Sequence, residues 1–208
     1  NLSLAFEVLD YALLSAPGAP LKQALLDAKI GKDIYGSFED GIKQTYFSIV
    51  AKGANLSQKE EFVKVIRDTL TKIMEEGIDK KAVTAGINYY EFRFREADFS
   101  SYPKGLMYGL DILSSWLYDD TKPFCEVQLL EGFEFLKKAL EEGYFEDLIR
   151  KYLLDNTHGA ILSLVPEKGL AAKRDKELEE KLENYRKSLS DEELTRMVEN
   201  TKALEAYQ

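Results

Sequence analysis

The chain has 208 residues, of which 45% are hydrophobic and 12% aromatic, so it can build a sizeable core and is not a disordered protein. Its formal net charge of −9 argues against nucleic acid as the main partner, because a polyphosphate needs a clustered positive surface. No apolar run approaches the roughly 20 residues that a membrane span requires, so no membrane partner is expected.

Cysteine usage and the first residue bear on the origin of the chain. The single cysteine, Cys125, cannot form an intrachain disulfide, which favours a bacterial-type cytoplasm over an organelle. Cys125 follows Pro123 at a predicted helix start, and we expect its thiol to be packed. Since the chain begins with Asn1 rather than Met, we expect it to be a segment of a longer protein.

The first quarter of the chain predicts two helices followed by a β-hairpin. Apolar residues at helical spacing indicate helices over 2–14 and 21–30. Residues 33–38 and 42–50 are typical of strands, and Asp40-Gly41 between them predicts a tight turn. Two strands alone are marginal in water, so we expect helices to cover them.

The middle of the chain is predicted to be helical. Ser57 and Glu60 match a capping box, and Asp79 can cap the helix that follows it. The predicted helices cover 56–76, 79–94, 103–117, 127–136 and 145–153. The helix that Pro103 opens is expected to bury a stripe of four leucines, which are Leu106, Leu110, Leu113 and Leu117.

The last quarter predicts a third strand and a charged helical hairpin. Residues 158–165 form a short apolar run closed by Pro166, which we interpret as a strand added beside the hairpin. Ser190 and Glu193 form a second capping box within the helical hairpin. The order of elements predicts an α+β fold, with an antiparallel sheet covered on one face by helices. The predicted domains are 1–166 and 167–208.

Few residues suit catalysis. With one histidine, neither an H-E-x-x-H nor an H-x-x-E-H zinc motif can occur, and no phosphate-binding glycine loop is present. His158 could act with an acid such as Asp155, but a structural role is favoured. Three further groups are interpreted as ion pairs, solvated charges or core packing, and these are Glu91, Arg93, Arg95, Glu96 and Asp98; Glu141, Glu142, Glu146 and Asp147; and Tyr89, Tyr90, Phe92 and Phe94.

Several motifs, taken in order, resemble the pitrilysin/insulinase-type zinc metallopeptidases, in their presequence-protease branch. The motifs are residues 19–25, the Asp-Gly hairpin with residues 44–49, Glu91-Phe92 with Arg95-Glu96, residues 105–116, 154–158 and 165–170, and the charged hairpin ending in Leu204 and Gln208. The resemblance implies a LuxS/MPP-like two-layer sandwich, here the second, non-catalytic domain followed by the start of a helical linker.

The same resemblance implies how such a domain works. It would buttress the zinc-bearing first domain and wall part of a chamber in which peptide substrates are degraded, with the other half of the same parent chain as partner. Zinc is expected in the first domain, so no catalytic, cofactor-binding or metal-binding residue is assigned to this chain.

Two alternatives stay open. The chain could be a stand-alone interaction module, or a catalytically dead homologue, that acts through the thin apolar seam of its helical hairpin, which comprises Leu178, Leu182, Tyr185, Leu189 and Leu194. It could also be a small enzyme that uses His158.

Overall fold

The structure, a computed structural model, describes residues 2–97 and 99–208. The strands are β1 (Asp33–Glu39) and β2 (Tyr46–Lys52). The helices are α1 (Leu2–Asp10), α2 (Pro20–Asp27), α3 (Lys59–Glu76), α4 (Lys80–Glu96), α5 (Lys104–Trp116), α6 (Leu130–Ala139), α7 (Tyr144–Leu148), α8 (Leu170–Ser188) and α9 (Asp191–Tyr207). Short 3₁₀ turns cover Leu56–Gln58, Cys125–Val127 and Leu140–Glu142, and π-helical turns cover Tyr11–Ser15 and Ile149–Leu154. The predicted α+β class is confirmed.

The chain divides into two compact units, residues 1–161 and 162–208. The first unit contains the core, which is built from apolar side chains between Leu4 and Ile149. The second unit consists of α8 and α9, whose described residues include no buried side chain. Within residues 2–97 and 99–208, each helix is too short or too polar to span a bilayer.

The hairpin pairs β1 with β2 in an antiparallel register in which Phe38 faces Phe47 and Glu39 faces Tyr46. The second strand therefore starts four residues later than predicted, and a loop replaces the expected tight turn at Asp40-Gly41. A two-residue turn would place Lys43 beside Phe38 on the face that α1 covers. The observed register puts Phe47, Ile49 and Ala51 there instead, because burial of one face selects the pairing.

Helix α1 covers one face of this sheet. The ring of Phe6 stacks on Phe38 at a centroid distance of 5.2 Å and also lies 6.1 Å from Phe47. Gly36 allows the close approach, since a Cβ there would lie 2.3 Å from Leu14 Cδ1 and 2.9 Å from the Ser48 carbonyl oxygen. The chain therefore needs a glycine at this strand position.

The helix caps are mostly where the sequence predicts them. Asp79 Oδ1 accepts hydrogen bonds from the N–H groups of Lys81 and Ala82, at 2.9 and 3.2 Å. The Ser190–Glu193 capping box at the start of α9 is also present. The box predicted at Ser57 and Glu60 is wrong: Gln58 Oε1 accepts from the N–H of Asn55, because a 3₁₀ turn starts the helix earlier.

The predicted third strand is wrong. Residues 158–165 are irregular, and Leu162 and Leu164 are 83% and 87% exposed. The described sheet has the two strands β1 and β2. An apolar, β-branched run becomes a strand only where a neighbouring edge and a half-buried surface receive it, and this run has neither here.

Candidate functional site

His158 lies in the irregular stretch after the π-helical turn and is exposed. Its Nδ1 is 3.4 Å from Nε2 of Gln44, and its backbone N–H donates to Oδ1 of Asn156 at 2.8 Å. The neighbours of the ring are thus amides rather than the carboxylate of Asp155 that a base-and-orienter pair requires. These contacts are those of a surface side chain and do not support catalysis by His158.

Cys125 is exposed, so the expectation of a packed thiol is wrong. It begins the 3₁₀ turn Cys125–Val127, and its Sγ lies 3.4 Å from the Lys122 carbonyl oxygen and from Oε1 of Glu126. The neighbouring groups are acceptors, which do not stabilise a thiolate.

The charges of α4 form the ion pairs that the sequence favours. Glu91 accepts hydrogen bonds from Nε and Nη2 of Arg95, and its other oxygen lies 2.7 Å from Nζ of Lys137. These contacts, the one with Lys137 first, lower the pKa of Glu91. Arg93 instead lies 5.6 Å above the ring of Tyr89, and Asp98 falls outside the described residues.

The acids around α7 do not converge on a shared position. Glu141 pairs with Lys80, and Asp147 lies 3.7 Å from Arg150. Glu146 accepts from the backbone N–H of Ile78 at 3.0 Å, and its buried Oε2 has no hydrogen-bond partner among the described residues. This group holds the start of α4 in place rather than forming a site.

The donor atoms of the chain can be compared with what a zinc ion needs. A structural or catalytic zinc site requires three or four Cys, His, Asp or Glu ligands around one point. In the part of the chain that the structure describes, no group of three or more such side chains could hold a metal ion. His158 and Cys125 lie in separate surroundings, so the donor set of this chain does not fit zinc.

The aromatic side chains of α4 divide between core and surface. Phe94 lies 6.0 Å from Phe133, and Tyr90 packs at the edge of the core, as predicted. Tyr89 stacks on Tyr11 at 5.4 Å and remains partly exposed. Phe92 is 64% exposed, so the expectation of core packing is wrong at that position.

An acidic cluster, which the sequence analysis missed, gathers carboxylates from several parts of the chain. Its members are Glu7, Asp10, Asp40, Asp111 and Glu126. Burial raises the pKa of Glu7 to about 7, and the neighbouring carboxylates of Asp40 and Glu126 contribute while Arg93 opposes them. Burial likewise raises the pKa values of Asp10, Asp40 and Asp111. The cluster is therefore a negative region with little neutralisation, and no local sequence pattern could have revealed it.

Helix α5 presents an apolar stripe to solvent, contrary to the prediction that it would be buried. This leucine stripe consists of Leu106, Leu110, Leu113 and Leu117, which are 41–69% exposed. The opposite side of the helix is half-covered, and Ser115 Oγ there donates to the Lys122 carbonyl oxygen at 2.9 Å. An exposed apolar stripe of this kind marks an interaction surface.

The helical hairpin exposes a second apolar surface. Leu178, Leu182 and Tyr185 of α8 are exposed, and Leu189 and Leu194 are half-buried. The seam is therefore available within the second unit, as the interaction-module alternative requires.

The chain was compared with known proteins. Residues 2–90 match the model of the Peptidase M16 inactive domain, and residues 164–208 match the model of the region associated with subfamily C of Peptidase M16. Protein HypA of Clostridium perfringens is 45% identical over 99% of the chain, and presequence protease 1, chloroplastic/mitochondrial, of Arabidopsis thaliana is 33% identical over 99%.

The extent of these similarities is uneven. The alignments cover 21% of the Clostridium protein and 19% of the Arabidopsis protein, so the chain spans about a fifth of the curated relatives it matches. A crystal structure of the inactive peptidase domain of a zinc protease from Bordetella parapertussis is similar over 71% of this chain and 73% of that one, with 12% identity and a TM-score of 0.49.

Proposed function

Because the chain belongs to the M16 peptidase family, in its presequence-protease-like branch, we propose that it is a non-catalytic, chamber-forming domain of a zinc metalloendopeptidase that degrades peptides. The match of residues 2–90 to the inactive domain of the family carries this proposal. The family predicted from the sequence is thereby confirmed.

In this role the chain buttresses the zinc-bearing domain of the same enzyme and walls part of the chamber that holds the peptide. It supplies no catalytic residue and no metal ligand of its own, which fits the separate surroundings of His158 and Cys125. We place the boundary between domain and linker at residue 166, supported by the division at 161 and the second family match from residue 164. A bacterial cytoplasm is favoured because the bacterial relative is the more similar of the two compared.

Zinc content and peptidase activity test this proposal. The purified 208-residue chain should neither retain zinc after dialysis nor cleave an unstructured peptide, whereas the full-length parent enzyme should do both. Stoichiometric zinc together with peptidase activity in the 208-residue chain would contradict the proposal. His158→Ala in the parent enzyme should leave zinc content and activity unchanged, and loss of activity alone would favour the small-enzyme alternative.

The exposed seam of α8 favours a second candidate, an interaction module or dead homologue that acts through its helical hairpin. Labelling of Leu182→Cys with a maleimide in the full-length protein distinguishes the two. Slow labelling, together with zinc-dependent activity, supports the peptidase domain. Rapid labelling in a full-length protein without peptidase activity supports the module.

A further inference from the structure

We propose that the leucine stripe of α5 is the docking surface for the zinc-bearing domain of the same enzyme, which presents to it an apolar patch with a basic rim. This inference rests on the proposed function and adds to it the surface through which the domain acts. The geometry of α5, the charges beside it and the length of the relatives carry it.

The geometry of α5 indicates a missing partner. An amphipathic helix in a protein gains most of its stability from packing its apolar face, yet α5 has no buried residue. Its four leucines recur on one face and point away from the half-covered side that contacts the turn at Lys122. Trp116 and Phe124, next to the stripe, are also about half exposed. The contiguous apolar surface is of the kind that a monomeric domain rarely leaves open.

The charges beside the stripe define the chemistry of the partner. Asp111 lies on the flank of α5 and is electrostatically coupled to Asp40, and Glu126 of the adjoining turn is coupled to Glu7. Interfaces combine an apolar centre with a polar rim, and a rim of lysine or arginine would neutralise these carboxylates. The same charges disfavour a second copy of this chain, whose own carboxylates would repel, and disfavour an anionic lipid surface.

The relatives show how much additional protein could supply such a partner. The chain spans about a fifth of the two curated relatives. A further domain of the same enzyme is therefore available at high effective concentration, so that even a modest interface would remain closed.

Cysteine accessibility in the full-length enzyme tests the inference. Leu110→Cys and Leu56→Cys replace two leucines that are comparably exposed in this chain, one inside the stripe and one on the 3₁₀ turn before α3. Maleimide should modify Leu110→Cys about tenfold or more slowly in the full-length enzyme than in the 208-residue chain, because interface centres are packed like protein interiors. The rate at Leu56→Cys should change far less. Equal rates at Leu110→Cys in both proteins, or equal slowing at both positions, would overturn the inference.

A charged stripe provides the functional arm of the test. Leu110→Asp combined with Leu117→Asp should lower peptidase activity of the full-length enzyme more than about tenfold while zinc content is retained, and Leu56→Asp should not. Circular dichroism of the same variants in the 208-residue chain checks that the domain still folds. Wild-type activity in the double variant overturns the docking surface and leaves the proposed function standing. A full-length protein without zinc or activity overturns the proposed function, and a 208-residue chain that dimerises through the stripe in sedimentation overturns the assigned partner.

Discussion

Gly36 is a residue at which the sheet and the first helical segment approach each other closely. Gly36→Ala should lower the free energy of unfolding by about 1–3 kcal/mol, because the added methyl group would collide with Leu14 and with the backbone of Ser48. Gly109→Ala is a matched control of opposite sign. Its Cβ would meet no atom within 4 Å, and alanine should stabilise α5 by about 0.5–1 kcal/mol. Urea unfolding of both variants measures the difference, and equal effects would contradict the packing described.

Glu7 gives the fold a dependence on pH. Burial and the carboxylates of Asp40 and Glu126, opposed by Arg93, raise its pKa from 4.5 to about 7. The folded state therefore holds the proton more tightly, and the stability that Glu7 contributes below pH 4.5 is lost as the pH rises through 7. Glu7→Gln should make the chain more stable at about pH 8 by about 1–3 kcal/mol and change little at about pH 4.5.

Urea unfolding at several pH values between about 4.5 and about 8 measures this effect. Glu60→Gln, at an exposed position of α3, is the control and should leave the pH profile of stability unchanged. A Glu7→Gln profile parallel to that of the wild type would show that Glu7 titrates normally in the folded chain.

At the scale of elements, the sequence predicts the helices well and their environments poorly. Periodicity locates α3, α4 and α6 because a continuous core lies on one side of each of them. The same periodicity predicts a buried stripe on α5, where the structure leaves the leucines exposed. Periodicity reports that a face is apolar but not what covers it. The strand predicted over 158–165 fails for a related reason, since a strand needs an available edge as well as a suitable composition.

The cap of α4 is an element feature that the sequence predicts correctly, and its contribution can be measured. Asp79→Ala removes the acceptor for two backbone N–H groups and should cost about 1 kcal/mol of stability. Asp79→Asn keeps a capping oxygen and should cost far less. Chemical denaturation of the two variants, compared with wild type, tests this order. Equal losses would indicate that the charge of Asp79, rather than its hydrogen bonds, stabilises the helix start.

At the scale of the whole molecule, the candidate surfaces depend on contacts between distant segments. The acidic cluster joins α1, the hairpin loop, α5 and the turn at Glu126, and no local motif links these positions. The absence of paired histidines, by contrast, follows from composition alone. Sequence therefore excludes the zinc motifs directly, whereas the surfaces that remain for function become visible only in three dimensions.

The division of the chain into two units leads to a last prediction. The core side chains that the structure describes lie between Leu4 and Ile149, so the core should not need residues 162–208. Deleting them should change the free energy of unfolding by less than about 1 kcal/mol, since no core contact is removed. Phe145→Ala in the shortened chain is the positive control and should cost about 3–5 kcal/mol. Loss of cooperative unfolding on deletion would show instead that the helical hairpin completes the domain, which would argue against a linker that moves independently of it.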